Sequence, residues 1–484
     1  MQQSRRQLLT NGAAVAFGAG FIGRVEAVAA MQSSKSSMES LLFSQAGGPS
    51  SKMLLTPPTG QDAPPVPASY DRLPLSWYKA KVKTFKDTLA ERGIEAFLLR
   101  NALNVSYLIG YYHVETERPQ ATFMNKDDEN PWYLYPGLDR DIVKSWWWGD
   151  GLAYYDYPDN KGVYPWEGKV AAGPMNDILT YTLEGIKKHG LQGKKLAIDG
   201  ELYPSELTKV QKIFPGIEVV NIIPDLLKMR ELKSPEELAL WRRAYVYYDK
   251  GHAFARDYIL THGTDIYDME IGAATTMYTS MLLYKDLDLH DGEANYGVGA
   301  SMHYSCRAGA VTSYPHPNQP YFNKIQKNQP IQISGGCRIG GFGGEGYRMF
   351  ITADAAGHFD PHMGKLWEVS QHSCDMQVEL QKDGTVCNEV ASKILEYQVK
   401  EGCAKYIYHR PGHGLGTEGH QPPYLSLGDN TVLKQTMCFS EEPGLYDSEK
   451  KVGFNWSDTV VTGLKSGYRM SMVPYSKEYL WLKL

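Results

Sequence analysis

Six cysteines in 484 residues are too few for a disulfide scaffold, and no two of them stand as Cys-x-x-Cys. Positive charge is not in excess either: 50 Lys and Arg face 55 Asp and Glu, for a formal net charge of −5. No broad basic field is available to hold a polyanion, so nucleic acid is not an expected partner. The phosphate-loop pattern GxxxxGK[ST] is missing, and no strand–GxGxxG–helix context surrounds the glycine-dense run 335–346, where seven of twelve residues are Gly. No short-period repeat is visible. What is present is ordinary for a globular protein: 42% hydrophobic and 22% charged residues, with a mean hydropathy of −0.40. That composition excludes a disordered, collagen-like or polytopic membrane chain and leaves room for two to four domains. The 33 tyrosines and 10 tryptophans combine apolar bulk with a polar tip, which suits a pocket or an interface.

The first thirty residues form a separate segment. Ser4-Arg5-Arg6-Gln7-Leu8-Leu9 precedes a small, uncharged, apolar run from Gly12 to Gly23, too short to span a bilayer, and Ala27-Val28-Ala29 offers a small-x-small cleavage site. The segment resembles a twin-arginine export signal, which implies a bacterial periplasmic protein with no membrane anchor after export. In that compartment disulfides among the six cysteines are permitted, although the sequence does not say which would pair. Residues 31–70, rich in Ser, Gly, Gln and Pro without periodicity, read as a linker or arm.

Residues 71–228 alternate helical patterns with short apolar runs, as an α/β domain does. Residues 76–93 carry apolar residues at three- and four-residue spacing and end at Gly93, predicting an amphipathic helix. Ile94–Leu99 reads as a buried strand, Asn104–Gly110 as a second short apolar segment and Lys195–Asp199 as a third. A boundary follows near residue 229. Ser234 at N-cap, Pro235 at N1 and Glu237 at N3 make a complete helix start. The helix it opens, about 235–257, places Leu238, Trp241, Tyr245 and Tyr248 on one stripe. In the second domain, 229–484, helices alternate with β-type runs such as Pro330–Ile333 and Met437–Ser440. The glycines of 335–346 predict a β-hairpin whose backbone approaches another element closely.

Four stretches of this half gather histidines and carboxylates beside Gly or Pro. They are Tyr314-Pro315-His316-Pro317, Glu345-Gly346-Tyr347-Arg348, the run from His409 through His413 and His420 to Pro423, and Glu441-Glu442-Pro443-Gly444-Leu445-Tyr446. Histidine exchanges protons near neutral pH, and a neighbouring carboxylate orients or charges it.

These stretches resemble the pita-bread family of methionine aminopeptidase, aminopeptidase P, prolidase and creatinase. Residues 409–423 are similar to its HxxGHGxGxxxHExP signature, Glu442–Tyr446 to its EPGxY strand, and Met229–Glu237 to the helix that opens its catalytic domain. The resemblance covers about residues 75–465. It implies an α/β (α+β) chain, a creatinase-like N-terminal domain followed by a pita-bread catalytic domain. The family's peptidases hold two metals on Asp, Asp, His, Glu and Glu. Carried over singly, these positions fall on Ser334, Glu345, His413, Glu442 and Ser457, and the family's His-Glu pair falls on His420-Gln421. With two carboxylates missing, no cofactor is expected. A single divalent metal on Glu345, His413 and Glu442 is the arrangement left open.

Creatinase, in the same family, lacks the metal ligands and uses a histidine as base and acid. His316, eighteen residues before Ser334, occupies the comparable place. The resemblance therefore implies a hydrolase acting on a C–N bond of a small zwitterionic or cationic substrate, with His316 as the proton-transfer residue. Glu345 and Glu442 would hold the cationic group. His413 and His420 would donate hydrogen bonds, Tyr304, Tyr347, Arg348 and His409 would bind the substrate beside His420, and the run Trp146–Trp148 would add to the aromatic wall. A lyase acting on dimethylsulfoniopropionate, an Xaa-Pro metallopeptidase and a non-catalytic binding protein for a peptide or zwitterion are the alternatives. The creatinase-like branch also implies a homodimer.

Overall fold

The computed structural model describes residues 62–145, 148–155, 165–170, 175, 177–287, 299–316 and 322–484. The export-like segment, most of the arm, Trp146, Trp147 and Pro317-Asn318 lie outside them.

The predicted first helix forms as α1 (Leu75–Ala90), burying Tyr78, Val82, Phe85 and Leu89 at three- and four-residue spacing. Strand β1 (Ala96–Leu99) is wholly buried. The apolar run 104–110 is helical: Asn101 caps α2 (Ala102–Ile109) by accepting from the N–H groups of Leu103 and Asn104, and Gly110 closes it at φ 78°. With β2 (Ala121–Asn125), β3 (Trp132–Pro136), β4 (Asp150–Tyr154), β5 (Lys195–Ile198) and β6 (Glu218–Asn221), β1 completes a six-stranded sheet of order β4-β3-β2-β1-β5-β6. Trp148 packs inside this domain, donating its indole N–H to Ile109 O at 3.1 Å. It therefore belongs to the first domain's core, which corrects its expected place in a substrate wall.

The helix start at 234 is as read. Ser234 Oγ accepts from Glu237 N–H, Glu237 Oε2 accepts from Ser234 N–H, and the helix runs Pro235–His262. Its stripe of Leu238, Trp241, Tyr245 and Tyr248 is buried. It packs with the helix Asp268–Asp286 against a four-stranded sheet of order β17-β9-β8-β7. In that sheet β7 (Ser301–Ala308), β8 (Gln329–Ile339) and β9 (Phe342–Ala353) are antiparallel neighbours, and β17 (Trp481–Lys483) runs parallel to β9.

The glycine-dense run forms the predicted hairpin, with Gly340 and Gly341 at positive φ in its turn. Its close approach is to the tyrosine stripe. A Cβ on Gly346 would lie 2.3 Å from the Tyr248 hydroxyl, and Tyr245 donates its O–H to Glu345 O at 2.8 Å. Strands β10 (Gly412–Gly414), β11 (Gln421–Leu425), β12 (Cys438–Ser440), β15 (Thr459–Val461) and β16 (Tyr468–Arg469) form a five-stranded sheet of order β11-β10-β12-β15-β16 beside the hairpin, and β13 (Leu445–Asp447) pairs separately with β14 (Val452–Phe454). The four- and five-stranded sheets meet where Tyr347 and Ser457 exchange backbone bonds. At the end of the arm, Asp62 accepts from the N–H groups of Leu464 and Lys465, tying residue 62 to the catalytic domain. All six cysteines are buried free thiols. No helix among the described residues is long and apolar enough to cross a membrane.

Candidate active site

Strand alternation builds the floor. Along β7, Met302, Tyr304, Cys306 and Ala308 are buried while His303, Ser305 and Arg307 take the other face. The register sets Ser305 opposite Ser334, and Ser334 opposite Tyr347. Over this floor lies a cavity with two lobes. One, of about 650 Å³, is lined by His303, Ser305 and Ser334 with Met269 and Ala273 of the neighbouring helix. The other, of about 830 Å³, is lined by Tyr408, His409, Arg410, His413, His420, Glu442 and Tyr446. Arg307, Pro315, His316, Glu345 and Tyr347 line both lobes.

Most of the expected residues are brought together here. His316 lies at the junction of the lobes. His409 has its ring fixed between Arg410 O (2.8 Å) and the Tyr446 hydroxyl (2.9 Å). His413 stacks on His420, and Tyr347 donates its O–H to Glu345 Oε2 at 2.8 Å. Two expectations are corrected. Arg348 alternates to the opposite face of β9 and is fully buried, donating to Asp458 Oδ2 (2.8 Å), Ser471 Oγ (3.1 Å) and the carbonyls of Ser457 and Val473. It cannot reach a substrate. Tyr304 touches the first lobe, but its hydroxyl donates to Tyr248 O at 2.6 Å, so its polar tip points into the helix behind the sheet. The aromatic lining comes instead from Tyr347, Tyr408 and Tyr446. Arg307 and Tyr446 were missed as site residues. Strand alternation could have signalled Arg307, and position in the EPGxY strand could have signalled Tyr446.

The two glutamates are driven apart in acidity. Burial and the adjacent Glu442 charge push Glu345 up, against the Tyr347 hydrogen bond and the charges of His413 and Arg338. Burial would also raise Glu442, but His413, with help from His409 and His420, holds it below the usual carboxylate range. Glu442 is thus the standing anion and Glu345 the carboxyl able to carry a proton. His413 Nε2 lies 3.2 Å from Glu442 Oε2, close enough to pair as ions, yet the angle is not that of a directed hydrogen bond. Burial disfavours the His413 charge, but Glu442, Gly414 O and Glu345 together raise its pKa. His420 is lowered, by burial first and then by His413, Arg410 and His316.

These shifts fix a pH window. The raised His413 lends stability that is complete below its ordinary value of 6.5 and is lost as pH rises through its folded value. The lowered Glu442 lends stability complete above 4.5 and lost as pH falls through its folded value. Glu442→Gln should therefore depress the thermal midpoint most between pH 4.5 and 6.5. A depression that did not vary across a pH series of thermal scans would show that the pair is not ionised.

A two-metal centre does not fit these residues. Two neighbouring divalent ions need several anionic oxygens to offset their repulsion. At two of the five positions that the resemblance implies stand hydroxyls: Ser334 Oγ pairs with Ser305 Oγ at 2.6 Å, and Ser457 Oγ is buried with no hydrogen-bond partner among the described residues. Glu345, His413 and His420 each bring one ligand atom within 4.8 Å of the others. However, the two imidazoles are stacked, with centroids 3.7 Å and planes 15° apart. An imidazole lone pair lies in its ring plane, and planes so nearly parallel do not meet within a metal–nitrogen bond of about 2.0–2.1 Å.

Comparison with known proteins places this geometry. Residues 244–463 match Metallopeptidase family M24, and residues 81–232 match the Creatinase/Prolidase N-terminal domain. An Xaa-Pro dipeptidase of Lactobacillus helveticus is 26% identical over 351 residues, 72% of this chain and 85% of that protein. The crystal structure of a prolidase from Thermococcus sibiricus superposes with a TM-score of 0.66 at 21% identity, covering 84% of this chain and 99% of that one. An Xaa-Pro dipeptidase structure from Bacillus anthracis gives 0.63 at 16%, covering 84% and 100%. At such identities the structural likenesses establish the fold, and the two domain matches supply the family. The chain belongs to the pita-bread fold family and is a hydrolase of the M24 type, with a creatinase/prolidase N-terminal domain ahead of its catalytic domain.

Proposed function

We propose that this hydrolase cleaves a C–N bond in a small zwitterionic or cationic compound by histidine acid–base chemistry, without a two-metal centre. The observation that carries the reading is that Ser334 and Ser457 stand where the family resemblance expects two metal-ligating carboxylates, beside a cavity that keeps His316, Glu345, His413 and Glu442. At the junction of the lobes, His316 takes a proton from water as its oxygen adds to the carbon of the C–N bond. The resulting imidazolium returns that proton to the nitrogen as the bond breaks, so no net charge leaves the site. The Glu442 anion, with Glu345 beside it, attracts the cationic end of the substrate. The faces of Tyr347 and Tyr446 add cation–π attraction. His420 would donate to developing negative charge on the substrate, while His409, its ring held between Arg410 O and the Tyr446 hydroxyl, would orient Tyr446.

The M24 relatives named Xaa-Pro dipeptidase favour a second reading, metal-assisted cleavage of a proline dipeptide. One experiment separates the two. Purified protein is analysed for metal and assayed on creatine, ectoine and Xaa-Pro dipeptides before and after chelation. The proposal expects sub-stoichiometric metal and turnover that survives chelation; stoichiometric metal with chelator-sensitive dipeptide cleavage would overturn it. Export of the mature protein to a periplasm and assembly as a homodimer belong to the same proposal. Cell fractionation and size-exclusion chromatography with light scattering test them.

A further inference from the structure

We infer that Arg307 is the positioning residue for His316. Arg307 is half-buried on the cavity face of β7, at the junction where the lobes share their lining. Its Nη1 donates to the carbonyl oxygen of Tyr314 at 2.9 Å and, at the long distance of 3.4 Å, to that of Pro315, the two residues that immediately precede His316. Its Nη2 donates to Gln332 Oε1. Gln332 is itself buried and anchored, donating its amide to Asn455 O at 2.8 Å. A continuous tie thus runs from the backbone at Asn455 through Gln332 and Arg307 to the segment carrying His316.

The type of residue matters. His316 is exposed and leaves the β7 side on an irregular segment, Tyr314–His316, where no strand ladder fixes the backbone. A planar guanidinium presents several donors in a fixed fork and can hold two successive carbonyls while its other edge is pinned. A lysine ammonium supplies the charge but not the fork. A proton-transfer group must sit within hydrogen-bond reach of its proton, and a shift of about 1 Å is enough to lose much of its effect. Arg307 supplies the rigidity that the local backbone lacks.

This inference rests on the role given to His316, but its test reads the imidazole itself, so the two can fail separately. Full-length protein with 13C-labelled histidine is compared with Arg307→Ala and Arg307→Lys by the His316 ring resonance and by the rate of diethyl pyrocarbonate labelling at His316. Exposed His358, far along the chain, serves as the internal reference. The expected result for Arg307→Ala is a displaced and broadened His316 signal and labelling at least about threefold faster, with the His358 rate unchanged. Guanidinium added at a non-denaturing concentration should restore both, and Arg307→Lys should remain impaired. A His316 signal and labelling rate unchanged in Arg307→Ala would overturn the inference, as would a wild-type response from Arg307→Lys. If Arg307→Ala does not fold, the Lys variant still decides the matter, because it retains the charge and lacks only the fork.

Discussion

Replacing His316 by Asn should lower kcat/KM on the C–N substrate by about 10²–10⁴-fold, the span expected when a positioned acid–base group is lost. Circular dichroism and the thermal midpoint should stay at wild-type values, because His316 is exposed. The loss should appear mainly in kcat, since the cationic end of the substrate is held by Glu442 and Glu345 rather than by the imidazole. Near wild-type turnover from a folded His316→Asn protein would remove His316 from the mechanism. It would turn attention to the stacked pair His413 and His420.

Arg348→Met should destabilise the catalytic domain by about 3–5 kcal/mol, the usual cost of stripping one partner from a buried ion pair. Arg348 and Asp458 are both fully buried at 2.8 Å, and the same guanidinium satisfies the carbonyls of Tyr347, Ser457 and Val473. Removing it strands a buried carboxylate that, among the described residues, keeps the N–H groups of Thr459 and Ser471 alone. Asp458→Leu should be comparably damaging alone. The double variant should regain part of the loss, because no uncompensated charge is then left inside. Urea unfolding followed by a probe in the catalytic domain measures all three. Full stability with a raised KM in Arg348→Met would instead return Arg348 to the substrate-binding role that its neighbours Glu345 and Tyr347 suggested.

The contrast between Arg348 and Tyr347 shows how legibility in sequence divides. Both stand in the same run beside Glu345, and a motif alone treats them alike. Once β9 pairs with β8, successive side chains go to opposite faces, so Tyr347 meets the cavity and Arg348 the core. Tyr304 is separated from its expected role in the same way, because Gly251 and Gly335 leave room for its ring and Tyr248 O takes its hydroxyl.

By itself the sequence determined those features whose physics is local. The Ser234–Glu237 capping box, the tyrosine stripe that follows it and the glycine-rich hairpin are each specified within a few residues. So is the clustering of His409, His413, His420 and Glu442 beside Gly and Pro. The hydroxyls at 334 and 457, where the family resemblance expects carboxylates, are equally a matter of residue identity. Only the tertiary structure decided which side chains meet. The stacking of His413 on His420, the division of acidity between Glu345 and Glu442, and the tie from Gln332 through Arg307 to the His316 segment join residues from separate strands and loops. Their distances, burial and mutual charge do not exist until the four- and five-stranded sheets of the catalytic domain close around the cavity. Those quantities, rather than residue types, set which group carries a proton and which stays charged.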